Sequence, residues 1–168
     1  MTTWLDDQEH AAWLKLAGVL ELLPGALDSQ LRQDAGLTHF EYLVLAMLSE
    51  TPGRTLRMTA LAARTNATLP RLSHVARRLE ERHLVERLPC PEDARATNAR
   101  LTEHGWQTLV ATAPGHVGAV RRYVFDALSP EQVSQLGEIA GTVLARLDPD
   151  GRFAHTFSGR GPDAAART

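Results

Sequence analysis

The most constraining stretch of this chain is a pair of helical patterns separated by nothing more than a tight turn. Residues 59–65 place Leu61 and Ala62 on one side of a short helix. Asn66-Ala67 supplies the turn. Thr68 is a good N-cap for the next helix, and Pro70 falls in its first turn, where a missing N–H costs nothing. From Leu69 to about Arg82, Leu72, Val75, Ala76 and Leu79 recur at helical spacing on one side. Arg71, Ser73, His74, Arg77 and Arg78 show on the other. A short helix, a three-residue turn and a second amphipathic helix form a helix-turn-helix pattern.

The flanks extend this pattern. Residues 84–88 read as a short strand, residues 89–94 as a turn-rich loop, and residues 97–101 as a returning strand, with Thr102 capping the next helix. Two strands around a charged loop, directly after a helix-turn-helix, form a wing. Upstream, Trp13, Leu16, Leu20, Leu23, Leu27 and Leu31 make a helical stripe that Pro24-Gly25 is expected to kink or divide. Thr38 and Glu41 form a capping box for a helix burying Phe40, Leu43, Val44, Met47 and Leu48. Downstream, a helix runs from about Glu103 towards Phe125, with a bend or break expected at Pro114-Gly115. Ser129 and Gln132 then cap a last helix, striped by Val133, Leu136, Ile139, Val143 and Leu147.

The fold class expected is therefore mainly α with a small β wing: a winged helix-turn-helix plus a helical dimerisation region. The organisation expected is an N-terminal dimerisation helix region (1–35), a winged helix-turn-helix region (36–102), C-terminal dimerisation helices (103–148) and a flexible tail rich in Gly, Pro and Ala (149–168). The apolar stripes of the first and last helices are broader than one small winged unit can bury. Their best use is a homodimer interface.

Charge locates the candidate function. The chain carries a net −2, yet residues 54–105 hold 10 of its 18 basic and 6 of its 20 acidic residues. That segment is about +4 and the remainder about −6, a local basic field suited to a polyanion. A helix entering the major groove presents one polar face to base edges. Arg71, Ser73, His74 and Arg77 lie on such a face, with Arg78 beside them and Pro70 suited to a thymine methyl. Thr68 and its neighbouring N–H groups suit a phosphate. Arg87 and Arg100 flank the wing as further phosphate candidates.

Other classes find little support. There is no Gly-rich phosphate loop, nucleophile elbow or His-Glu metal helix, so no enzyme and no cofactor is expected. The neighbours Ser73 and His74 project about 100° apart on a helix, not as a nucleophile–base pair. The seven His residues form no metal motif. One cysteine precludes an intrachain disulfide and fits a reducing, cytoplasmic setting. No basic region followed by an apolar run marks a secretory leader, and no stretch reaches membrane-spanning length.

The order of elements and several runs resemble the MarR (multiple antibiotic resistance regulator) family. The runs are Gly36-Leu37-Thr38 before Tyr42-Leu43-Val44-Leu45, the pair Leu61-Ala62, residues 79–87, and Glu92-Asp93-Ala94-Arg95-Ala96 followed by Leu101-Thr102-Glu103-His104-Gly105. The resemblance implies a dimeric transcriptional regulator, commonly a repressor, on a pseudo-palindromic double-stranded DNA operator. It implies that Arg95 reaches a minor groove and that Asp93 orients it. It also implies a small aromatic or lipophilic effector, for which His10, Trp13, His39, Tyr42 and Trp106 are the candidates. Two positions depart from the pattern: His83 stands where the family usually has Gly, predicting a slightly strained C-cap, and Cys90 stands where an acidic residue is common. Cys90, between Pro89 and Pro91, is expected to be exposed near Arg87 and Arg95, which would favour its oxidation and makes a redox-responsive regulator one alternative. The other is a winged-helix protein-interaction module that does not bind DNA.

Overall fold

A computed structural model describes residues 3–153; residues 154–168, most of the expected flexible tail, lie outside it. Among the described residues six α-helices and three strands follow in the order α1 (Asp7–Ala35), α2 (His39–Ser49), β1 (Thr55–Arg57), α3 (Met58–Arg64), α4 (Leu69–Glu81), β2 (Val85–Cys90), β3 (Asp93–Leu101), α5 (Glu103–Tyr123) and α6 (Pro130–Leu147). Caps set most of the boundaries. Asp6, Thr38 and Ser129 each form a reciprocal capping box, with Glu9, Glu41 and Gln132 respectively, and Thr102 accepts from Gly105 N to open α5.

Of the kink or division expected at Pro24-Gly25, the division does not occur: α1 runs unbroken for 29 residues. The expected bend or break at Pro114-Gly115 leaves α5 likewise continuous as a helix. Each proline removes one N–H and frees the carbonyl four residues back. Those carbonyls belong to Leu20 and Val110, both of them exposed residues.

The strands also depart from expectation. The wing strands reach further towards the tip, leaving only Pro91 and Glu92 between them. A third strand, β1, was not anticipated; it pairs antiparallel with β3 through Thr55↔Arg100, Leu56↔Ala99 and Arg57↔Asn98, giving the order β1-β3-β2. Three residues offer too short an alternation to register in sequence, and partner strand β3 supplies the reason they are extended.

One core joins the end of α1 to α2, α3, α4, the sheet and the start of α5. Leu31, Leu37, Leu45, Leu48, Leu61, Leu72, Leu79 and Leu109 are fully buried in it. Gly105 lets α5 start hard against β2, since a Cβ there would overlap the Leu84 carbonyl. At the end of α4, His83 adopts φ +58, with His83 N donating to Glu80 O and Leu84 N to Leu79 O. This is the Schellman closure expected of glycine, and the strained cap predicted for His83 is present. Asn66 closes α3 in the same way at φ +49.

The outer helices are different. α6 buries none of its side chains, and α1 buries only Leu27 and Leu31. Leu22 is 76 % exposed, Ile139 63 % and Leu147 77 %. No helix among the described residues is long and apolar enough to cross a membrane. Residues 149–153, the start of the expected tail, form a turn in which Asp148 accepts from Arg152 N and Phe153 N.

Candidate nucleic-acid interface

Helix α4 is held with one face outward. Thr68 caps it by accepting from Arg71 N, and Leu72, Val75, Ala76 and Leu79 anchor it in the core. Pro70, Arg71, His74, Arg77 and Arg78 are exposed and Ser73 is half-buried. Among the described residues Arg77 makes no ion pair, so its guanidinium keeps all its donors for an external acceptor.

The wing delivers Arg95 to the same region. The β2–β3 ladder is regular from Val85↔Leu101 to Pro89↔Thr97, then jumps to Cys90↔Asp93. Ala94, Arg95 and Ala96 are thus left out of the ladder as a bulge, the device that re-aims a side chain at a strand tip. Arg95 is exposed. Asp93 accepts from the Arg95 backbone N–H at 3.1 Å, while its other oxygen lies 3.8 Å from the Arg57 guanidinium. Asp93 therefore shapes the backbone that carries Arg95 and does not pair with its guanidinium. Between wing and helix lies a groove of about 190 Å³ whose lining includes Arg57, Leu69, Ser73, Arg87, Arg95 and Thr97. The outer face of α4 and the wing tip open onto it together.

Several candidates are engaged elsewhere. Arg78 turns to Glu41, 3.3 Å away, whose side chain is 1 % exposed. Arg87 grips Glu80 through two side-chain bonds of 2.9 and 2.6 Å, which holds the Glu80 carboxyl below the usual carboxylate range. Arg100 pairs with Glu86 at 2.6 Å. Arg71 stacks over the Phe40 ring at 4.2 Å. Arg57, missed in the sequence, joins the groove because β1 places it beside the wing.

Cys90 is not exposed as expected: it is 8 % exposed, and the Arg57 guanidinium lies 3.5 Å from Sγ. That hydrogen bond, with backbone N–H groups of the turn, pushes the thiol below its ordinary pKa. The neighbour is Arg57 and not Arg87 or Arg95; Arg57 ends β1, which lies beside β3 in the same sheet.

The five effector candidates are not gathered into one cavity. His10 and Trp13 are exposed on the first turns of α1, and Trp106 lies under Arg54 at 4.3 Å. Only His39 and Tyr42 come together, around His116 of α5, with ring centroids 6.0 and 4.5 Å from it. His116 was not singled out in the sequence, where nothing distinguishes it from six other histidines. No group of three or more His, Cys, Asp or Glu among the described residues is placed to hold a metal ion.

A model of the MarR family matches residues 35–96. Sco3205 from Streptomyces coelicolor, a MarR family transcriptional regulator solved in complex with DNA, is 46% identical over 89% of this chain and 93% of its own, with a TM-score of 0.84. AbsC from the same organism is 40% identical over 88% and 99%, with a TM-score of 0.81. CouR from Rhodococcus jostii RHA1, solved bound to p-coumaroyl-CoA, is 26% identical over 76% and 87%, with a TM-score of 0.64. A search of the curated proteins finds no match. With two such regulators alike along nearly all of its length, this chain belongs to the MarR family of transcriptional regulators.

Proposed function

We propose that the protein is a cytoplasmic, sequence-specific regulator that binds double-stranded DNA as a homodimer on a pseudo-palindromic operator and acts as a repressor. The observation that carries this reading is the shared opening of two cationic elements. Leu69 and Ser73 of α4 and the bulge-borne Arg95 line one groove, and the exposed Arg77 lies one turn beyond Ser73 on the same side of the helix. A helix of this kind suits a major groove, and an arginine beyond it suits the adjacent minor groove, where negative potential is concentrated. Sco3205, the relative solved in complex with DNA, supports DNA as the partner.

The dimer is supported by the uncovered stripes of α1 and α6. Two α4 helices about one turn of B-DNA apart would read two half-sites. Release by a small aromatic or lipophilic effector belongs to this reading. CouR was solved with an aromatic thioester, and His39, Tyr42 and His116 gather where α2 meets α5. Repression is the sign implied by the family.

Selection of bound sequences from a random duplex library, followed by titration in rising salt, tests the proposal. A two-fold symmetric consensus and a steep linear fall of log affinity with log salt are expected. No binding at low salt would instead support a protein-interaction module.

A further inference from the structure

Helix α4 has a second arginine face. Arg71, Arg78 and Arg82 are spaced seven and four residues apart, so at about 100° per residue they fall within about 20° of the Arg71 direction. Pro70, Ser73 and Arg77 lie about 100–160° away on the groove side. All three arginines of the second face meet the joint between α1 and α2. Arg71 stacks on Phe40 and Arg78 reaches the buried Glu41, both in the first turn of α2. Arg82 donates through Nη1 to Gly36 O at 3.0 Å and through Nη2 to Ala35 O at 3.2 Å.

The third contact has a distinct consequence. Ala35 and Gly36 end α1, where carbonyls lack intrahelical donors and carry partial negative charge. A guanidinium suits this end, because its planar fork spans two carbonyls at once and its charge complements the dipole. The other part of α1 bears the exposed apolar stripe. One unbroken helix thus links the dimer-forming surface to the C-terminal end of the recognition helix.

We propose that Arg82 is a positioning residue for operator recognition: it fastens α4 to the end of α1, so that the separation and angle of the paired recognition helices follow the packing of α1 in the dimer. This rests on the DNA-binding homodimer proposed above. Arg82 itself need not touch DNA; its effect is on which half-site spacing is accepted.

The test uses full-length protein and a series of duplexes in which two copies of the selected half-site are separated by spacers of increasing length. Dimer mass and thermal unfolding are followed in parallel. Wild-type protein is expected to favour one spacing by about tenfold over its neighbours, and Arg82→Ala to flatten that preference below about threefold with the dimer intact. Arg82→Lys, which keeps a cationic donor but not the fork, restores part of it. Undiminished spacing preference in Arg82→Ala, whatever its overall affinity, overturns the proposal. Should that variant fail to fold, Arg82→Gln is read on the same series, and an unchanged preference there has the same force. Wild-type protein that binds no duplex rejects the DNA-binding reading itself, an outcome distinct from a preference that survives the substitution.

Discussion

The winged half of the protomer and its outer helices obey the same apolar spacing and meet opposite fates. In α2, α3 and α4, Leu45, Leu48, Leu61, Leu72 and Leu79 are completely covered by their own chain. In α1 and α6, Leu22, Ile139 and Leu147 are mostly open. Periodicity of three and four announces that a face will be buried. It does not say what buries it. A stripe opposed by elements of the same chain becomes core, and a contiguous stripe left open marks an interface.

The largest effect expected from this contrast is in the core. Leu72→Ala should cost about 3 kcal/mol by lost burial and a residual cavity, measured by denaturant unfolding. A loss below about 1 kcal/mol would mean that the winged half is looser than its burial indicates. On the outer helices, Ile139→Asp should weaken self-association about a hundredfold, roughly 2.7 kcal/mol, by placing a charge in an apolar contact. Sedimentation across a concentration series reads this directly, and an undisturbed dimer would break the comparison.

The groove is lined by residues of the winged half. Arg95→Ala should reduce operator affinity about thirtyfold, near 2 kcal/mol, with fold and dimer unchanged. Wild-type affinity in a gel shift at physiological salt would refute the role given to the wing.

Smaller effects sharpen the description of the joints. His83→Gly removes a left-handed residue that carries a Cβ, and should stabilise the protein by about 1 kcal/mol, raising Tm by roughly 3 °C. An unchanged or lower Tm would show that the His83 side chain offsets its backbone strain. The smallest effect concerns pH. Burial holds His39 and His116 below the ordinary imidazole range. The unfolded chain therefore takes up protons first as pH falls. Their contribution is fully present above the unfolded value near 6.5 and is lost as pH falls through it towards the depressed folded values. His116→Gln should narrow the Tm difference between pH 7.5 and pH 5.5. An identical difference in both proteins would remove His116 from the account.

Much of this was legible before any coordinates. Thr38, Thr68, Thr102 and Ser129 announced their helices because capping is local: a side chain two or three residues from the orphan N–H groups satisfies them whatever the rest of the chain does. The same locality made Asn66 readable as a helix end, while His83 was read from the resemblance, as standing where the family usually has Gly. The polar face of α4 followed from periodicity, and Arg95 from the resemblance of its neighbours.

What the tertiary structure decided was pairing across distance. Arg78 is drawn to Glu41 and Arg87 to Glu80, so two cations that looked equivalent to Arg77 and Arg95 in sequence serve internal contacts, while Arg57, which the sequence did not single out, is drawn to Cys90. β1 exists because β3 lies beside it, and α1 and α5 stay continuous through Pro24 and Pro114. Local chemistry is written in neighbouring residues. The partner of a charge or of a three-residue strand is set by which distant segments the packed core brings within hydrogen-bond reach.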